Sequence, residues 1–147
     1  MRTVFSLLCL LLSCSATRAE DVVLNRIHFL GGDGRMDFLV PSEELRKVRP
    51  WEPGAGTDAP LSRSQALESA RKAALAEGLD ISDVSRLVIS LTKTNPFEED
   101  LIKHLPPGCC RWFYQVDFKG VDARIKGEFT FLVTMSGAVA YKAVGPK

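Results

Sequence analysis

Apolar and polar positions change period several times along the chain, and each change marks an element. Residues 22–30 (VVLNRIHFL) and 36–40 (MDFLV) are strand-like runs on either side of Gly31, Gly32, Asp33 and Gly34, which tolerate the positive φ of a tight turn. The spacing predicts a hairpin. Pro41 stops it, and residues 42–49 have room for a turn or two of helix before Pro50 and Pro53. Residues 51–60 (WEPGAGTDAP) are turn-rich and without period. They read as a linker, and the hairpin before them as an N-terminal arm, loosely attached or packed as an edge.

The period then becomes helical. Ser62-Arg63-Ser64-Gln65 is a capping-box pattern, and Ala66, Leu67, Ala70, Ala73, Ala74 and Glu77 recur at steps of three and four, which predicts a helix over 63–77 with Gly78 at its C′ position. A face built of alanine lets such a helix lie close on a sheet. Alternating runs follow at 84–92, 111–119 and 128–134, and Ser136-Gly137 turns the chain into a last strand over 138–143. Trp112, Tyr114, Val116 and Phe118 fall on one face of the second run, with Phe129, Phe131 and Val133 inward on the third. Residues 93–110 are long for a hairpin connection and contain a short helix at 97–104, closed by Pro106-Pro107-Gly108. The sum is an α+β fold: one main helix packed on a 3–5 stranded antiparallel sheet, with an N-terminal hairpin arm.

The first 19 residues stand apart from this pattern, with a basic Arg2, an apolar run over 4–12 broken only by Ser6, and small residues after it. This is a secretory leader pattern. Cleavage after Ala19 fits the small-residue positions Thr17 and Ala19; a second route reads Leu11-Leu12-Ser13-Cys14 as a degenerate lipobox that makes Cys14 the lipidated first residue. The apolar run is short of the roughly 20 residues a spanning helix needs. The protein is therefore expected to be exported, periplasmic or extracellular, with no transmembrane segment and membrane contact only through a lipid on Cys14. Residues 20–60 then form the hairpin and linker, and 61–147 the main domain.

Charge narrows the partners. Nineteen basic and 18 acidic residues give a net charge of +1, and removing Arg2 and Arg18 with the leader leaves 17 against 18, a net −1. No charge excess draws the chain to nucleic acid or anionic lipid. Of four cysteines only Cys109 and Cys110 lie beyond the leader, so there is no disulfide framework.

Candidate chemistry is sparse. Cys109 and Cys110 are placed for a vicinal disulfide, or for packing to opposite faces at the start of a strand. His104 with Cys109 and Cys110 is a weak soft-metal set short of a fourth ligand, and His104 otherwise reads as a solvated residue at a helix end. Glu98, Glu99 and Asp100 suit the first turn of a helix. No nucleophile elbow, zinc-protease motif or phosphate loop occurs. Phe113 and Gln115 point away from the aromatic face of their strand, which makes them candidate partner-binding residues unless the N-terminal arm or Trp51 covers Phe113.

The segments LSRSQALESARKAA (61–74), RWFYQVDF (111–118) and FLVTMSGAV (131–139) resemble the PepSY domain family of exported bacterial proteins and protease propeptides. The resemblance implies a helix lying across a small antiparallel sheet, no catalytic residues, no cofactor, and a part in protease inhibition or modulation. The expected function is a non-catalytic exported binding module whose partner is another exported protein, with a protease as one such partner. It would bind through the edge of the last strand or the face carrying Phe113 and Gln115. The alternative is a small exported enzyme, or a metal- or redox-handling protein using the Cys109–Cys110 loop.

Overall fold

A computed structural model describes residues 20–29, 34–95, 97–120 and 128–145. The elements in chain order are β1 (Asp21–His28), β2 (Arg35–Pro41), α1 (Ser42–Arg46), α2 (Arg63–Ala76), β3 (Arg86–Lys93), α3 (Glu99–His104), β4 (Trp112–Lys119), β5 (Thr130–Thr134) and β6 (Tyr141–Gly145). The leader and Cys14 lie outside the described residues.

Helix α2 forms as its sequence predicts. Ser62 Oγ accepts from the Gln65 amide while the Gln65 side chain accepts from the Ser62 amide, at 3.2 and 2.9 Å. At the other end Gly78, at φ +72°, donates to Leu75 O, and Leu79 donates to Ala74 O, a Schellman closure. Ala66, Ala70 and Ala74 are fully buried against β4 and β5.

The fold is α+β, but it has two three-stranded antiparallel sheets, β1-β2-β6 and β3-β4-β5, in place of the expected single sheet. The difference lies in the last strand. After the turn at Ser136 and Gly137 the chain pairs with β5 only briefly, through Thr134 N to Ala138 O, Ala140 N to Leu132 O and a Val133–Val139 bridge. It then crosses to β2, matching Leu39 with Tyr141 and Arg35 with Gly145. The physical reason is the apolar face of the hairpin. Val22, Leu24, Met36, Phe38 and Val40 cannot stay in water, and they bury with Phe113, Leu132 and Ala140 on the back of β4 and β5. The arm is therefore half of the fold's second core, and no loose appendage.

Charged side chains fasten the joints. Arg26 on β1 bonds Asp37 on β2 through Nε at 2.7 Å and Nη2 at 3.3 Å, and reaches Asp100 of α3 through Nη1 at 3.0 Å. The Asp37 carboxylate thus holds the guanidinium well above its ordinary pKa. So the acidic run at 98–100 does more than greet a helix terminus: it anchors α3 to the first sheet. Lys142 on β6 spans the two sheets, donating to Glu128 O at 2.6 Å and to Glu77 Oε2 at 3.1 Å, with its ammonium 4.0 Å from the centre of the Phe131 ring. Burial pulls its pKa below the ordinary lysine value, against the opposing pull of Glu77.

Two outcomes are expected. Ala70→Leu forces α2 off the sheet and should cost about 1–3 kcal/mol in urea denaturation, whereas Leu75→Ala on the exposed side stays within about 0.5 kcal/mol. Lys142 has a folded pKa below its unfolded one, so just under the ordinary lysine value the unfolded chain holds the extra proton. Stability relative to Lys142→Met should therefore rise with pH as the ordinary lysine pKa is approached from below, read as urea midpoints; a flat or falling difference would contradict the burial of that charge.

Candidate functional site

The side chains singled out in the sequence do not converge. Phe113 is 0% exposed and packs with Phe38, Val40 and Leu132. This corrects its reading as a surface contact: the first sheet covers that end of β4, as the sequence allowed for the arm. Gln115, on the same face, is half-buried and donates to Asp117 Oδ2 at 3.0 Å, while Thr130 Oγ1 donates to Asp117 Oδ1 at 2.6 Å. Its amide is held inside the sheet.

Cys109 and Cys110 are both buried with free thiols. Cys109 joins the core under the first sheet and Cys110 the core under α2, because successive residues of extended chain face opposite ways. The vicinal disulfide is thus replaced by two packed thiols. Desolvation raises the Cys109 pKa, which lowers its thiolate fraction and its reactivity. His104 is exposed at the end of α3. Among the described residues no group of three or more His, Cys, Asp and Glu side chains gathers as a metal site, so His104, Cys109 and Cys110 are not brought together as one.

One polar relay runs through the β5–β6 turn. Thr134 Oγ1 and Ser136 Oγ share a hydrogen bond at 2.8 Å, and Ser136 donates to Glu44 Oε2 at 3.1 Å. Glu44 also takes a hydrogen bond from Lys47, which with Ser136 holds its carboxyl below the usual range. A carboxylate made less basic in this way is a poor activator for a serine, and no imidazole belongs to the relay. The relay locks α1 to the turn.

Among the described residues, β3 is a sheet edge with no strand on its outer side. Its eight residues pair with β4 in unbroken register from Arg86–Lys119 to Lys93–Trp112, and β3 ends the sheet order on that side. The strand is RLVISLTK: charge at its two ends, six uncharged residues between, no proline and no bulge. Arg86 and Leu87 are exposed and the rest half-buried, with Leu87 36% exposed. The edges of the first sheet are less regular. β1 carries a register shift between Val23 and Asn25 and has α3 packed against it. β6 is short and bonded to β2 on one side, while Lys142 reaches over to Glu128 and Glu77. Unpaired N–H and C=O groups on a long flat edge are a template for another strand.

Both ends of β3 are fixed. At its start Gly120, at φ +90°, lies so near Ser85 that a β-carbon there would meet Ser85 Oγ at 1.9 Å. At its end the 51–60 segment docks: Trp51 meets Trp112 edge-on at 6.4 Å, and Glu52 accepts from Trp112 Nε1 at 2.8 Å and Lys93 Nζ at 2.7 Å. Those two donors hold the Glu52 carboxyl below its usual range. The stretch has no regular structure but is tied down at its first two residues. Beside the segment leading into β3, Arg71, Leu75, Leu79, Asp80, Ile81 and Ser82 line a shallow groove of about 610 Å³.

Sequence reasoning found β3 as a strand but looked for a docking edge on the last strand instead. The signal for β3 was present in the uncharged run between Arg86 and Lys93; what was missing was the knowledge that β6 leaves for the other sheet. No helix among the described residues is long and apolar enough to cross a membrane. No family model, no curated protein and no solved structure matches the chain.

Proposed function

We propose that the protein is a non-catalytic, exported binding module that takes up an extended segment of another exported protein along the β3 edge. The observation that carries this reading is the eight-residue, unbulged edge of β3 with Leu87 in solvent, in a chain that blunts its β1 edge. Strand addition needs what β3 offers: main-chain donors and acceptors for affinity, and alternate side chains for selectivity. The leader pattern supports export, to the periplasm or the extracellular space. The resemblance to the PepSY family makes a protease the first partner class to examine, with modulation of its activity as the outcome.

The test is a photo-crosslinking amino acid placed at Leu87 or at Val144, each exposed but in different sheets, in the full chain expressed in its own cell. Leu87 should yield an adduct with one other exported protein and Val144 none. Equal adducts from both positions, or none with another protein from Leu87, would overturn the proposal.

A further inference from the structure

We infer that the β3 edge also pairs with the β3 edge of a second copy of the chain, antiparallel about a two-fold axis through Ile89. This rests on the same reading of β3 as the open docking edge, and identifies its resting occupant.

The direction of the main-chain groups follows from the ladder. Thr94 N donates to Arg111 O at 3.0 Å, one step beyond the Lys93–Trp112 match. In an antiparallel pair such bonds recur at every second residue, so Thr92, Ser90 and Val88 also turn their main-chain groups to β4. Leu87, Ile89 and Leu91 turn theirs to the open edge. These three also share a face, opposite Phe118, Val116 and Tyr114.

A two-fold axis relating antiparallel neighbours stands normal to the sheet, so it pairs residues of the same face. Centred on Ile89, it sets Ile89 against the partner's Ile89 and Leu87 against the partner's Leu91. Those are the residues with free main-chain groups, which gives about six hydrogen bonds across the joint. On the other face Val88 meets the partner's Ser90 and Arg86 the partner's Thr92. Lys93 would meet the partner's Ser85, and it is already neutralised by Glu52 at 2.7 Å. The next allowed register, two positions along, sets Leu87 against the partner's Lys93 and takes Ile89 off the axis, so it is the poorer match.

The Leu-x-Ile-x-Leu run of residues 87–91 is thus self-complementary about its middle, and no like charges oppose one another across the joint. A formal net charge of +1 sets little long-range repulsion between copies. The joint would merge two three-stranded sheets into one of six, with both α2 helices on the same face. Leu75, 68% exposed, lines the groove with Leu79 and Ile81 on the segment leading into β3, extending the apolar surface beyond the strand.

Light scattering on the full chain, over a concentration series raised to the high-micromolar range, should reach twice the protomer mass, as mass action requires of a weak pair. Leu87→Lys sets a charge against the partner's Leu91, and Leu87→Pro removes an outward N–H that β4 does not use; both should be monomers. Leu87→Lys alters an exposed side chain, so it stands as the test if the proline variant fails to fold. Under mild oxidation Ile89→Cys should crosslink to its own partner copy, whereas Leu87→Cys, lying well off the axis, should not. A monomeric wild-type chain, a dimer that survives both Leu87 substitutions, or equal crosslinking from both cysteines would overturn the inference. If the chain is monomeric while Leu87 still captures another exported protein, self-pairing falls and the binding module stands; if it is a dimer that captures nothing else, self-pairing stands and the binding module falls.

Discussion

β4 must be buried on both faces, and the rest of the structure follows from that. Its sequence WFYQVDFK puts Tyr114, Val116 and Phe118 on one side and Phe113 on the other, all buried. One layer of cover cannot satisfy such a strand. Helix α2 supplies the first, and the sheet made from the N-terminal hairpin and β6 supplies the second. The division reaches into the approach to the strand, where Cys110 goes to the α2 side and Cys109 to the other. Beyond Phe113 the second face turns polar, and Gln115, Asp117 and Thr130 close it with hydrogen bonds among themselves. This is why the first sheet covers only one end of β4: there is apolar surface to bury at Phe113 and Leu132, and none at Asp117.

Local order was legible in the sequence where one short-range interaction decides it. The capping box at Ser62 and Gln65, the Gly78 stop and the alternation of β4 need no knowledge of the rest of the chain. The destination of β6 was not legible, because it depends on a competition between partners distant in sequence. Residues 138–140 begin as the second arm of a hairpin with β5, and only the unpaired apolar face of β2 draws the following residues away. Phe113 failed as a surface residue for the same reason. Alternation tells which residues share a face, but says nothing about whether that face meets water or a second layer.

The polar ties between the layers have a division of labour. Arg26 and Asp37 are each 11% exposed and form a two-bond pair, so removing Asp37 would leave the nearly buried Arg26 only Asp100 and Glu98, and removing Arg26 would leave Asp37 only Arg35 at 3.5 Å. Such a pair adds less to net stability than to the choice of register: the two residues sit directly opposite in the β1–β2 ladder, and a one-residue slip would separate them to opposite faces. Lys142 sets the second register in the same manner. Its ammonium finds Glu77, the Glu128 carbonyl and the Phe131 ring only when β6 has crossed to β2 and α2 lies on the other sheet. One ionic group thus fixes the register inside the first sheet and the other how the two sheets meet, while the apolar clusters supply the driving force.

An edge left bare in this setting calls for a physical reason. The ordinary protections are a bulge, an inward charge, a proline or a covering element, and β1 carries two such features, a register shift between Val23 and Asn25 and the packing of α3 against it. β3 could be blunted at modest cost, because Leu87 is 36% exposed and stands outside the core cluster. Instead, both ends of the strand are tied to their neighbours, by the close approach of Gly120 to Ser85 and by the Trp51–Trp112 contact with its Glu52 bridge. A strand already paired along its length and tied at both ends has less conformational freedom to lose when a partner arrives, which lowers the entropy cost of binding. On the proposed reading, anchored ends and an outer edge without a neighbouring strand are what strand addition requires, and the binding would then rest on the main chain of β3, out of reach of any search for a motif of side chains.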